Sequence, residues 1–265
     1  KLFSTKDFRL ENGETLPVLE LAYETYGTLN AKADNAVLVV HGYTSSHHAA
    51  GKNAAGKEGR GVAPGAAGWF DGLIGPGKAV DTDKHFVISV NALGSAHGSS
   101  GPNATDPRTK KPYGPTFPHI SMRDMVASQK LLVDSFGIKR LVAVVGPSMG
   151  GFQSFQWAAS YPGFMKGIAA SVTAPRAPNR LGGLESLQKR LASDPNWNGG
   201  WYYENGGIAG VLEQIRYETL LNYGQKEAEA KVAAKNWAQI YDGHSLVTLR
   251  RAIDGALAVS RLFSP

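Results

Sequence analysis

The residues best suited to chemistry lie in the run GPSMGG at positions 146–151. Gly146, Ser148 and Gly150 fit the spacing G-x-S-x-G, in which a serine sits at the apex of a sharp strand-to-helix turn. Residues two before and two after such a serine lie too close to the strand and helix to carry bulky side chains. The turn pushes the hydroxyl clear of the backbone, and the helix N-terminus behind it favours negative charge nearby. Ser148 then reads as a nucleophile, and the backbone N–H of Met149 as a donor to an oxyanion. A chain with 32 glycines produces this spacing by chance, so its flanks give it weight. Before it, LVAVV at 141–145 suits a buried strand. After it, Phe152, Phe155 and Ala159 recur at helical spacing.

A nucleophile of this kind needs a second oxyanion donor. The apolar run AVLVV, Ala36–Val40, reads as a buried strand ending at His41, Gly42 and Tyr43. A strand running into His-Gly is a place for that donor, here the Tyr43 N–H. The other reading is an ordinary loop with a packed His41, and this segment alone leaves both open. His47 and His48 are adjacent and have neither an HExxH pattern nor an acidic cluster beside them, which argues against a metal site. The Gly/Ser-rich loop at 91–102 lacks both the G-K-[ST] ending of a P-loop and G-x-G-x-x-G, which argues against nucleotide binding.

The elements that must position these residues alternate. Residues 16–26 read as a strand reached through the Asn12-Gly13 turn. Phe86–Val90 reads as a third buried strand and residues 168–172 as a fifth. Residues 121–137 read as a helix, capped by Ser121 with Asp124 at its third position and closed by Gly137. Residues 49–72 form a long Gly/Ala-rich loop. From Asn179 the strand signals stop, and 184–191, 208–223, 225–240 and 245–256 all read as helices. We therefore divide the chain into a core at 1–178, a helical lid at 179–256 and the start of a return to the core at 257–265.

The chain of 265 residues carries 42% hydrophobic and 19% charged residues, a net charge of +6 and no cysteine. It is long enough to bury a sizeable core. It holds no apolar run of membrane-spanning length and no cysteine-based disulfide, metal site or nucleophile; Lys1-Leu2-Phe3-Ser4 does not read as a signal peptide, and a mature form that has lost one reads the same way. Its Lys and Arg are dispersed, against a nucleic-acid footprint, although the excess favours an anionic substrate such as a coenzyme A ester. We expect a cytoplasmic protein without cofactor or metal, acting on a small ester or acyl-coenzyme A, with no nucleic-acid or membrane partner. A homodimer is left open.

Several segments narrow the family. LAYETYGTLN at 21–30, GPGKAVDTD at 75–83, RDMV at 123–126, GPSMGG at 146–151 and DPNW at 194–197 together resemble the homoserine O-acetyltransferase family. The likeness runs from about residue 8 to about residue 255. It implies an α/β-hydrolase fold: a mostly parallel sheet with flanking helices and a helical lid that forms a tunnel to the serine. It also implies acyl transfer through an acyl-serine, with Ser148 as nucleophile and the N–H groups of Tyr43 and Met149 as oxyanion donors. Many members carry acetyl from acetyl-coenzyme A to homoserine, and some relatives hydrolyse simple esters.

The sequence departs from the family pattern in four places. The oxyanion loop reads HGYTS at 41–45 instead of His-Ala-Leu-(Ser/Thr)-Gly. Gly94-Ser95-Ala96 stands in place of Gly-Gly-Cys. On the lid helix, Glu185, Gln188 and Lys189 occupy the Asn-x-x-Gln-Arg pattern, with Arg190 one place later. Lys189 and Arg190 become the candidates for substrate binding, and a Lys does not replace an Arg at a bidentate carboxylate site. Last, the triad acid and base are not found: SRLFSP at 260–265 resembles the family turn without its Asp, and no His follows His244. These departures rank an esterase for small acyl esters first, homoserine O-acetyltransferase as the alternative, and an impaired family member third. They also lead us to expect a longer molecule, with the missing C-terminal strands carrying the triad Asp and His.

Overall fold

The computed structural model describes residues 1–53, 65–175 and 183–256. Its centre is a six-stranded sheet in the order β1-β2-β6-β3-β7-β8. The strands are β1 (Leu2–Arg9), β2 (Thr15–Tyr26), β3 (Ala36–Val40), β6 (Phe86–Val90), β7 (Ala143–Pro147) and β8 (Ile168–Ser171). A two-stranded pair, β4 (Ile74–Gly75) and β5 (Val80–Asp81), stands apart. Strands β6, β3, β7 and β8 run parallel, and β1 and β2 join antiparallel at one edge. This is the mostly parallel α/β sheet the sequence implied.

β3 and β6 are buried at every residue, as apolar runs covered on both faces must be. β7 lies two residues later than the apolar run at 141–145 suggested, because Gly146 and Pro147 still pair with β8. β1 was not foreseen: its sequence LFSTKDFR leaves most side chains exposed, so it carries little apolar signal. Among the described residues β8 forms the other edge of the sheet, and Val172 just beyond it is 89% exposed.

Helix α1 (Met122–Ser135) has the expected capping box: Ser121 Oγ accepts from Asp124 N–H, and the Asp124 carboxylate accepts from Ser121 N–H. It packs with α2 (Met149–Ser160) over a core that includes Leu38, Val40, Ile88, Met125, Leu132 and Trp157. The lid follows the sequence reading closely: α3 (Gly183–Ala192), α4 (Ala209–Asn222), α5 (Glu227–Ala238) and α6 (Gly243–Gly255). The lid has its own apolar cluster, with Leu191, Tyr202, Leu212, Tyr241 and Leu246, against which Tyr43 also packs. α6 belongs to both parts, since Leu249 and Ala252 are buried in the main core. The strand suggested at 257–259 lies outside the described residues, as do positions 54–64 of the long loop. Among the described residues no helix is long and apolar enough to cross a membrane.

Candidate active site

Ser148 stands between β7 and α2 with φ 53° and ψ −117°. A non-glycine residue holds such a conformation only where its surroundings impose it. Here they do. Ser148 N–H donates to the Ser171 carbonyl on β8 at 2.9 Å, and the N–H groups of Gly151 and Phe152 bond back to the Ser148 carbonyl. The glycines at the flanking positions answer to contact. A Cβ on Gly150 would stand 2.2 Å from the Val40 carbonyl oxygen, and one on Gly146 would stand 2.5 Å from the Gly150 backbone. The motif spacing is therefore a consequence of β3, β7 and α2 closing on one another. Ser148 itself is exposed, with no side-chain hydrogen bond among the described residues.

The loop after β3 approaches from the side. A Cβ on Gly42 would lie 3.8 Å from Ser148 Cβ, so the next residue, Tyr43, borders the serine. Among the described residues neither Tyr43 N–H nor Met149 N–H bonds another backbone carbonyl. Both donors remain for an oxygen at the apex of the turn, and a helix N-terminus adds favourable potential there.

His41 is buried at the end of β3 and packs against the loop that carries Tyr43. Its Nε2 accepts the Ala92 N–H at 2.9 Å, so Nδ1 carries the proton and donates to the Gly42 carbonyl at 2.7 Å. Burial lowers its pKa to about 4, which keeps it neutral. Its carbonyl accepts from Gln153 Nε2, whose Oε1 accepts from Gln129, whose own Oε1 accepts from the Trp157 indole N–H. This buried relay ties α1 and α2 to the end of β3.

The lid holds the same loop from above. Tyr43 donates its hydroxyl proton to the Leu246 carbonyl at 2.6 Å, and the Tyr241 hydroxyl donates to the Tyr43 carbonyl at 3.1 Å. Arg216 of α4 reaches Thr44 Oγ1 at 2.9 Å and lies over the Trp237 ring. Burial lowers the Arg216 pKa.

Ser148 opens on a cleft of about 470 Å³ lined also by Tyr43, Phe152, Thr173, Tyr223, Arg250 and Asp254. Lys189 and Arg190 are not in that lining. Lys189 pairs with Glu185 on the exposed face of α3, and Arg190 pairs with Glu218 of α4. The sequence missed Arg250 and Asp254. They sit four apart on α6, a spacing that places both on one helix face, but no local signal says that this face turns towards Ser148.

All seven histidines are described, and none lines the Ser148 cleft. His244 caps structure rather than chemistry: its Nε2 donates to the Gly200 carbonyl, and its ring stacks on Tyr202. His48 bonds Glu24, and His47 is buried with its pKa lowered by desolvation to about 3. Among the described residues no group of His, Asp and Glu is arranged to hold a metal ion.

The family model described as alpha/beta hydrolase fold matches residues 35–238. The chain is 47% identical over 218 residues to a homoserine O-acetyltransferase of Methanococcoides burtonii, covering 82% of this chain and 43% of that protein. It is 36% identical over 272 residues to the homoserine O-acetyltransferase of Moorella thermoacetica, covering 92% of this chain and 71% of that one. Among solved structures it is similar to esterase E22, with TM-score 0.82, 31% identity and coverage of 97% and 78%. It is equally similar in shape to homoserine O-acetyltransferase from Bacillus anthracis, with TM-score 0.82, 29% identity and coverage of 96% and 74%. The chain thus spans less than half the length of the first of these relatives and about three quarters of the two solved structures.

Proposed function

The chain belongs to the α/β-hydrolase fold family and, within it, to the group resembling homoserine O-acetyltransferase, and from that premise we propose that it transfers an acetyl group through Ser148 to the hydroxyl of homoserine. The observation that carries the chemistry is Ser148 held at φ 53° beside two uncommitted N–H groups, those of Tyr43 and Met149. Ser148 Oγ bonds the carbonyl carbon of an acetyl thioester, the C–S bond breaks, the hydroxyl proton passes by way of a base to the departing sulfur so that coenzyme A leaves as the thiol, and the N–H pair holds the oxyanion of each tetrahedral intermediate. The acceptor hydroxyl then attacks the acetyl-serine. Its oxygen bonds the acetyl carbon, the Ser148 Oγ–carbon bond breaks, and the proton returns to Oγ.

Two curated relatives named for this transfer support the acceptor, and they reverse the order in which the sequence alone ranked ester hydrolysis and transfer. Hydrolysis stands as the second reading because esterase E22 matches the fold as well as the transferase does. In that reading water replaces homoserine. A serine hydroxyl needs a base to act at neutral pH, and no imidazole of this chain lines the cleft. The base and its orienting carboxylate are therefore assigned to no residue here.

A fluorophosphonate probe tests the nucleophile directly. We expect the adduct on the peptide holding Ser148 and its loss in Ser148→Ala. Labelling that persists in the variant overturns the assignment.

A further inference from the structure

The two N–H groups beside Ser148 come from different parts of the chain. Met149 opens α2 directly after the serine, whereas Tyr43 belongs to the loop after β3. That loop passes Ser148 at Gly42, and packing does not fix it there. A Cβ on Gly42 would meet the Pro147 carbonyl oxygen at 3.7 Å, ordinary contact distance. Lacking a Cβ, Gly42 also lets the two peptide planes that it joins turn easily against each other.

Hydrogen bonds hold both planes instead. A trans peptide is flat, with its C=O and N–H pointing in opposite directions. The plane that carries Tyr43 N–H also carries the Gly42 carbonyl, which accepts from His41 Nδ1 at 2.7 Å and from Ser45 N–H at 3.2 Å. The plane before it carries the His41 carbonyl, which accepts from Gln153 Nε2 at 3.3 Å. Gln153 lies one turn into α2, so the helix that presents Met149 N–H also grips the backbone from which the His41 ring projects. The direction of the Gln153 amide is itself imposed. Gln129, Gln153 and Trp157 are fully buried, and an indole N–H can only donate. Gln129 therefore turns Oε1 to Trp157 at 2.7 Å and Nε2 to Gln153 Oε1 at 2.5 Å, which leaves the Gln153 amino group for the His41 carbonyl.

We propose that Gln153 is a positioning residue for acyl transfer: acting through His41, it sets the direction of the Tyr43 N–H relative to that of Met149. It touches no substrate. This inference rests on the acyl-serine reading of Ser148, and it adds to that reading the side chain that aligns one donor with the other.

The test uses the full chain and three variants: Gln153→Met, Gln153→Glu and, as a control for lost stability, Leu16→Ala in the core at the start of β2. The burst from p-nitrophenyl acetate gives the rate of Ser148 acylation and its half-saturation concentration. A donor that serves the transition state affects the rate at saturation and leaves ground-state binding alone. Outright loss of an oxyanion donor costs about 100-fold or more, so turning one aside in Gln153→Met should lower the saturating rate ~10-fold or more. The half-saturation concentration should not change. In Gln153→Glu the buried carboxyl donates only when protonated. Its rate relative to the parent should hold at low pH and fall as pH rises and the carboxyl ionises. Leu16→Ala should lose stability and acylate like the parent. The amide NMR signal of Tyr43, recorded without substrate, should move in Gln153→Met and stay in Leu16→Ala.

A saturating rate in Gln153→Met equal to the parent's overturns the positioning role. So does a change in the half-saturation concentration alone, or a loss that Leu16→Ala reproduces. Should Gln153→Met not fold, Gln153→Glu and its pH profile decide in the same way. A parent protein without a burst counts against the acyl-serine reading. The Tyr43 amide signal then decides the positioning, which an unmoved signal in Gln153→Met overturns.

Discussion

The two sides of the Ser148 cleft are built from different materials. On the core side, β3, β7 and α2 supply backbone: a strained serine, two N–H groups and glycines pressed against carbonyls. On the lid side, α6 supplies side chains: the Arg250–Asp254 pair, and Tyr241 at its N-terminal approach. Backbone groups are placed by the fold itself, so the core side admits few sequences. Side chains on a helix face change without disturbing the helix. The contrast teaches that the geometry around Ser148 belongs to the fold, whereas the α6 side of the cleft is a replaceable surface.

The largest expected break of this contrast is Gly150→Val. The new side chain would meet the Val40 carbonyl at the distance given for a Cβ, 2.2 Å, and backbone cannot yield as a flexible side chain does. We expect ~3 kcal/mol or more of destabilisation from such overpacking. Chemical denaturation should show it as an early midpoint. A variant as stable as the parent would mean the elbow is less tightly closed than described.

The next effect is an acid limit set on the core side. Folded His41 stays neutral down to pH about 4 because it is buried, whereas an unfolded histidine takes a proton near 6.5. Between those values the unfolded chain binds the extra proton. Stability therefore falls as pH drops through that window, by ~3 kcal/mol from this residue once pH is below 4. Histidine proton NMR should find the His41 ring signal constant from pH 7 to 5. A titration near pH 6.5 would refute its packed, neutral role.

The smallest effect sharpens the lid side. Tyr241→Phe removes the hydroxyl that donates to the Tyr43 carbonyl. We expect a stability loss of ~1 kcal/mol, the usual net value of one hydrogen bond, and a several-fold drop in the p-nitrophenyl acetate burst rate. A burst rate equal to the parent's would show that the lid does not set the position of the donor loop.

The same contrast explains what was legible in the sequence. The elbow could be read because glycine at 146 and 150 and buried β3 and β6 are local signatures of close backbone packing. The capping box at Ser121 and Asp124 and the four lid helices were legible for the same reason: each depends on neighbours a few residues away. β1 was not, because its stability comes from pairing with β2 across the sheet edge while its own side chains stay largely exposed. Arg250 and Asp254 were not, because what matters is the direction their helix face points after the lid has folded back. Lys189 and Arg190 were drawn from a pattern on α3, and the pattern carried no information about the Glu185 and Glu218 partners that hold them elsewhere.

Tyr43 is tied twice to the lid, through its hydroxyl to Leu246 and through its carbonyl to Tyr241. α6 contributes to both the core and the lid clusters, and Tyr43 packs against both. The six strands of the described sheet all precede the helices at 183–255, but the loop at Tyr43 gains these two outer ties only when α6 and the residues before it dock. Recovery of reactivity at Ser148 should therefore lag behind recovery of core structure and follow lid docking in time. A molecule whose α6 has not docked would present Ser148 beside a loop that lacks both of these ties.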